Sequence, residues 1–181
     1  MQQAPMSYFE WMEHFGTQQA CLEEIARHRW PEGFLCPRCG HDEAYLLTRG
    51  ALRQCARCRH QVSVTAGTVF HRTHVPLPKW FAAIHRMSSD KGGVSAPRLA
   101  KLLGVSWRTA QRMLRVLRRA MRDRDRSYWL LGLVEVDDAR VGGRRRDTRG
   151  RGAKGKRFVL LAVERGTAGR AIWPRRPWPR A

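Results

Sequence analysis

The sequence predicts an α+β protein assembled from several small modules, and three observations carry that reading. Two Cys-x-x-Cys pairs stand fifteen residues apart, in a stretch rich in Gly and β-branched residues. Over residues 78–122 the apolar side chains recur at helical spacing, with Pro76 and Pro78 at the entrance. Two strand-like runs follow, 133–137 and 158–163, separated by the Gly/Arg-rich segment 142–157. The 181 residues suit one ordinary domain or a few small modules. The expected boundaries are a helical lead-in at 1–33, a ribbon at 34–76, a helical pair within 77–126, the start of a further α/β domain at 131–166, and an irregular tail at 167–181.

Charge narrows the partner. Lys and Arg number 35 against 15 Asp and Glu, a formal net charge of +20, and most of the cations are Arg. Guanidinium forks suit bidentate contacts to phosphate, and a small chain this basic points to a polyanion, of which nucleic acid is the commonest. A basic surface kept for solubility is the competing reading. No stretch approaches the roughly 18–20 apolar residues that a membrane span needs. Residues 1–16 carry acids and no Lys or Arg, unlike a secretory signal, so a bacterial or archaeal cytoplasm is the expected compartment.

In the lead-in, Phe9, Trp11, Met12, Phe15, Cys21, Leu22, Ile25 and Trp30 repeat at helix-like intervals, which predicts one or two short helices. Thr17, with Ala20 and Cys21 after it, is a candidate helix start, because its hydroxyl can accept an exposed backbone N–H.

Cys36-Pro37-Arg38-Cys39-Gly40 and Cys55-Ala56-Arg57-Cys58 form two knuckles. Each Cys-x-x-Cys turn brings two sulfurs to one point, and two such turns give the four soft donors of a tetrahedral zinc site. Tyr45-Leu46-Leu47 and Ala51-Leu52-Arg53-Gln54 read as the strands of the intervening hairpin, turning at Arg49-Gly50. With all four positions filled by Cys no coordination position stays open for water, so the metal is expected to be structural. A redox dithiol pair or an iron site is the alternative. His41 and His60, beside the knuckles, are expected to be surface residues, and Cys21 a small core residue.

The second motif is a helix-turn-helix. Leu99, Ala100 and Leu103 make the apolar face of one helix, Gly104 ends it, and Ser106 caps the next. Ala110, Met113, Leu114 and Leu117 continue the buried stripe. The second helix then presents Trp107, Arg108, Gln111, Arg112 and Arg115 outward, where Arg and Gln can read base edges in a major groove. Ser106 and Thr109 are candidates for hydroxyl contacts to phosphate. An amphipathic helical hairpin that merely packs is the alternative.

Farther on, Leu133-Val134-Glu135-Val136-Asp137-Asp138 is a strand ending in acids. Alternation puts Glu135 and Asp137 on one face and Val134 and Val136 on the other. The cluster reads either as a hard-cation site or as an exposed acidic strand end.

These parts occur in a telling order. Arg29-Trp30-Pro31, both knuckles, Ser63 with Gly67-Thr68-Val69-Phe70, then Leu77-Pro78-Lys79-Trp80, the helix-turn-helix, and Val134-Glu135-Val136-Asp137-Asp138 with Gly142-Gly143 together resemble the ISXO-type zinc-ribbon transposases of bacterial insertion sequences. The resemblance covers residues 17–165. It implies an incomplete ribonuclease-H-like DDE domain at 131–166, with Asp137 as its first metal-binding acid. The family usually has Glu where this chain has Asp138, which keeps the charge. Its remaining metal-binding residues lie downstream, and Glu164 matches none of them. The implied protein is the DNA-binding N-terminal part of a transposase, a truncated copy that is catalytically incomplete alone. Structural zinc is its expected cofactor, with Mg²⁺ or Mn²⁺ only for a complete catalytic domain. Duplex DNA at transposon ends is the expected partner, in a nucleoid-associated homo-oligomer or with complementation by a full-length transposase. A non-catalytic zinc-ribbon/helix-turn-helix regulator is the alternative function. An RNA-binding accessory protein using the Arg-rich segment 144–157 is a third.

Overall fold

The computed structural model describes residues 6–47, 51–90, 92–126, 129–142 and 157–164. The chain divides into two compact units, one ending at Arg126 and the next beginning at Ser127.

The first unit starts with two capped helices. Ser7 and Glu10 form a reciprocal capping box at the start of α1 (Tyr8–Phe15): the Glu10 amide donates to Ser7 Oγ and the Ser7 amide donates to the Glu10 carboxylate. This cap, legible as Ser-x-x-Glu, was not expected from the apolar spacing. Helix α2 (Gln18–Arg29) begins at the predicted Thr17, whose hydroxyl accepts from the Ala20 amide at 3.2 Å. A three-stranded antiparallel sheet in the order β1 (Ala44–Leu47), β2 (Leu52–Cys55), β3 (Gln61–Ser63) carries the ribbon, β1 and β2 between the knuckles and β3 after the second. Ala44 pairs with Cys55, and Arg53 with Val62. The sequence predicted only β1 and β2. Three residues with a single buried Val62 are too few to show an alternating period. The expected turn at Arg49-Gly50 lies outside the described residues.

Three helices complete the unit. Helix α3 (Leu77–Ser89) has Pro76 at its cap position and no cap of its own; instead Gln18, at the start of α2, accepts the Leu77 amide at 2.9 Å. Helix α4 (Ala96–Leu103) ends at Gly104, which is left-handed at φ 58°, ψ 48°. Only glycine adopts that conformation without a steric penalty. Val105 follows, and Ser106 caps α5 (Trp107–Asp125) by accepting the Thr109 amide at 3.2 Å.

The core holds two clusters. In the larger, Leu22 and Ile25 of α2 meet Leu77 and Trp80 of α3, Leu99 of α4 and Met113 of α5. Cys21 is fully buried there, as expected, with its thiol turned to the Phe15 carbonyl at 3.4 Å. Burial pushes that thiol up to about 11. Val64 and Phe70, counted with the ribbon in the 34–76 boundary, pack into this helical cluster instead. Apolar residues carried on turns after β3 have no sheet face to cover and join the helical cluster, Phe70 against Trp80 and Phe81 of α3. The smaller cluster holds Phe34, Cys36, Cys55 and Val62, and Trp30 packs against both.

The second unit contains β4 (Val134–Val141) and β5 (Arg157–Glu164), antiparallel and in register from Val134 opposite Glu164 to Val141 opposite Arg157. Strand β4 runs past the predicted 133–137. Both faces of the pair carry exposed apolar side chains, Val136, Phe158 and Leu160 on one and Leu161 and Val163 on the other. The rest of the Gly/Arg segment, at 143–156, and the tail at 167–181 lie outside the described residues. Among the described residues no helix is long and apolar enough to cross a membrane.

Candidate metal centre and nucleic-acid interface

The two knuckles repeat one six-residue backbone pattern. In the first, the Cys36 amide donates to the His41 carbonyl and the Gly40 amide to the Cys36 carbonyl, both at 2.9 Å. In the second, the Cys55 amide donates to the His60 carbonyl at 2.9 Å and the Arg59 amide to the Cys55 carbonyl at 3.1 Å. The residue after the second cysteine must be left-handed to close either loop. Gly40 does so at φ 71°, while Arg59 does so at φ 56° with a side chain in place. The imidazole of His41 lies beside carboxylates, Asp42 at 3.6 Å and Glu43 at 3.9 Å, away from the sulfur set.

The pattern gathers four sulfurs. The Sγ atoms of Cys36, Cys39, Cys55 and Cys58 all lie within 4.8 Å of one another. Cys36 and Cys58 are 3.6 Å apart, as are Cys39 and Cys55. All four cysteines are free, and these separations far exceed the ~2.05 Å of a disulfide. They match the edge of a tetrahedron around zinc, about 3.8 Å for Zn–S bonds of about 2.3 Å. Charge gives the same answer. Desolvation pushes the Cys36 thiol up, but the Arg38 and Cys39 amides and the Cys58 and Cys39 thiols pull it down to about 6. The His41 amide pulls the Cys39 thiol down, yet desolvation and the surrounding Cys58, Cys55 and Cys36 thiols push it up to about 12. One sulfur ionises at the expense of its neighbours, and four adjacent thiolates would repel one another, which a cation among them would offset. The donor set therefore fits structural zinc, a cross-link that would join the two halves of the ribbon.

A stack of side chains ties the ribbon to α2. Two guanidinium groups lie over the Trp30 ring, Arg29 at 5.2 Å and Arg53 of β2 at 5.0 Å from its centroid. Arg29 also donates to the Val64 carbonyl at 3.3 Å and to the Ala66 carbonyl. Desolvation lowers its pKa. Sequence reading passed over this trio, because cation–π contacts across a knuckle leave no periodic signal.

The predicted outward face of α5 is outward. Trp107 is half exposed, and Arg108, Gln111, Arg112 and Arg115 are exposed, opposite the buried Ala110, Met113, Leu114 and Leu117. Among the described residues, Arg108, Arg112 and Arg115 make no ion pair or hydrogen bond. The two hydroxyls predicted for phosphate contact are already engaged. Ser106 Oγ and Thr109 Oγ1 lie 2.8 Å apart, Ser106 caps the helix, and Thr109 is half-buried. Lys79 of α3 donates to the Gly104 carbonyl at 3.3 Å, and Arg118 to the Val94 carbonyl at 3.4 Å. The first bond ties the turn to α3, and the second ties α5 to the loop before α4.

In the second unit, Asp137 is exposed and its carboxylate accepts the Asp138 amide at 2.8 Å. It lies opposite Leu161 on the face it shares with Glu135. Among the described residues, the four cysteines form the one group of three or more metal-ligating side chains, so no acid set gathers around Asp137.

Comparison with known proteins bears on the ribbon most directly. Residues 16–61 match the family model described as a transposase zinc-ribbon domain. The chain is also 31% identical, over 180 aligned residues, to an uncharacterized protein in transposable element ISH50 of Halobacterium salinarum. That alignment covers 88% of this chain and 59% of the relative, so the chain spans under two thirds of the relative's length. No solved structure matches.

Proposed function

We propose that this chain is the DNA-binding part of an insertion-sequence transposase. In this reading zinc held by Cys36, Cys39, Cys55 and Cys58 stiffens the ribbon. Helices α4 and α5 act as a helix-turn-helix, and β4–β5 opens a ribonuclease-H-like fold in which Asp137 is the first metal-binding acid. The match of 16–61 to a transposase zinc ribbon and the likeness to the ISH50 protein support the family. One observation carries the DNA contact: the first turns of α5 display Trp107, Arg108, Gln111, Arg112 and Arg115 to solvent, on a helix whose entry is fixed by Gly104 and Ser106.

The chemistry follows from those side chains. Arg forks pair with guanine edges and the Gln amide with adenine, each discriminating by about 1–3 kcal/mol. Strand cleavage and joining belong, in this proposal, to a complete acid set, and this chain contributes recognition.

In vitro selection from a random-sequence duplex pool tests the reading. The zinc-loaded chain should enrich a defined motif, and Arg112→Ala should weaken binding to it by about 1–3 kcal/mol while relaxing the preference at one position. A pool that stays random, or a variant that binds and selects like the parent chain, refutes it.

A further inference from the structure

The arginines of α5 continue beyond the turns assigned to base reading. Arg108, Arg112, Arg115, Arg119, Arg122 and Arg126 alternate at spacings of four and three, so all fall on one narrow face of the helix, and all are exposed. That face lies opposite the buried Met113 and Leu117. No Asp or Glu occurs between Asp90 and Asp123. The row is about 27 Å long at 1.5 Å per residue. A solvated helix face ordinarily interleaves acids with its bases, because like charges one turn apart repel.

Length decides what the far part of the row can touch. A major groove is about 12 Å wide. With Arg112 centred in it, Arg119 stands about 10 Å farther along the axis and Arg122 about 15 Å, past the groove edge and level with the phosphate ridge. Arg118 is outside the row and occupied, bonded to the Val94 carbonyl. Asp123 is the local competitor, 3.8 Å from Arg119 and 3.1 Å from Arg122. Both pairs are solvent-exposed and therefore weak and screened by salt, so a phosphate can displace them.

We infer that Arg119 and Arg122 form a sequence-blind clamp on the phosphate backbone of the same duplex whose groove receives the start of α5. The inference rests on the proposed DNA reading of this helix and assigns its second half a different task. The first turns choose the site, and the later arginines supply affinity to any sequence by releasing counterions.

Fluorescence anisotropy tests it, using the zinc-loaded full chain, a 30-bp mixed-sequence duplex and KCl from 50 to 200 mM. Replacing both residues in an R119Q/R122Q variant should reduce the slope of log affinity against log salt by about 1.8. Over that fourfold salt range the variant should lose about twelvefold less affinity than the parent. An R119K/R122K variant should keep the parental slope, since charge is retained, and Arg27→Gln on α2 should also leave it unchanged. Circular dichroism confirms that each variant folds. A parental slope in R119Q/R122Q overturns the clamp and leaves the groove reading intact. A parent chain that binds no duplex, or that prefers an RNA hairpin to the duplex, overturns both.

Discussion

Stripping zinc from the chain should dissolve the ribbon and spare the helices. The ribbon's own cluster contains two apolar side chains besides cysteine, Phe34 and Val62, with Trp30 and Ala44 packed partly against it. Full burial of two such residues contributes about 3–6 kcal/mol. A structural zinc site contributes about 10–16 kcal/mol at neutral pH. Most of what holds residues 34–63 therefore leaves with the metal. The helical cluster has sixteen buried residues drawn from α2 to α5, the loop before α4 and the turns after β3, and none is a member of the sulfur set. Hydrogen exchange followed by mass spectrometry separates the two. Excess chelator should remove protection from the amides of Cys36, Gly40, Cys55 and Arg59, which close the knuckles. Amides within α3 and α5 should stay protected. Equal loss in both regions, or a ribbon that keeps its protection without metal, refutes the division of labour between the two cores.

Three further outcomes follow from local geometry. Arg59→Gly should stabilise the zinc-loaded ribbon by about 1 kcal/mol, because it removes a side chain from a left-handed position that Gly40 occupies freely in the matching knuckle; chelator competition measures it, and a weaker metal affinity contradicts it. Ser106→Ala should cost about 1 kcal/mol by freeing the Thr109 amide at the start of α5, and an unchanged melting temperature contradicts it. Glu10 titrates below its ordinary range, held there first by the Ser7 amide and then by the Ser7 hydroxyl. A depressed carboxylate pKa stabilises the folded form above the unfolded value, and that contribution is lost as pH falls through the folded one. The protection of α1 amides, taken relative to the unstructured exchange rate at each pH, should therefore fall on acidification in the parent chain and be low at neutral pH already in Glu10→Ala, where equal protection in both chains at neutral pH contradicts the capping box.

Much of this architecture was legible because its causes are local. Cysteine spacing foretold the sulfur cluster, and a hydroxyl or glycine at each boundary foretold the Thr17, Gly104 and Ser106 caps. The outward face of α5 followed from its buried stripe. Features made by distant residues were not legible. Gln18 serves as the cap of α3 across 59 positions. Trp30 joins the two cores through Arg29 and Arg53, and Val64 and Phe70 leave the ribbon for the helices. Strand β3 is too short to carry a period. Alternation placed Asp137 beside Glu135, its place as a first metal-binding acid is what the resemblance implies, and among the described residues no group of three acids gathers around it.

Arginine modification with phenylglyoxal, with and without bound duplex, tests most directly whether this basic face holds DNA. Arg108, Arg112 and Arg115 should be shielded from the reagent when duplex is present, while Arg27, exposed on α2, reacts at the same rate in both samples. Equal modification of the three α5 arginines in the two samples would contradict the proposed interface, whatever the ribbon does with its metal.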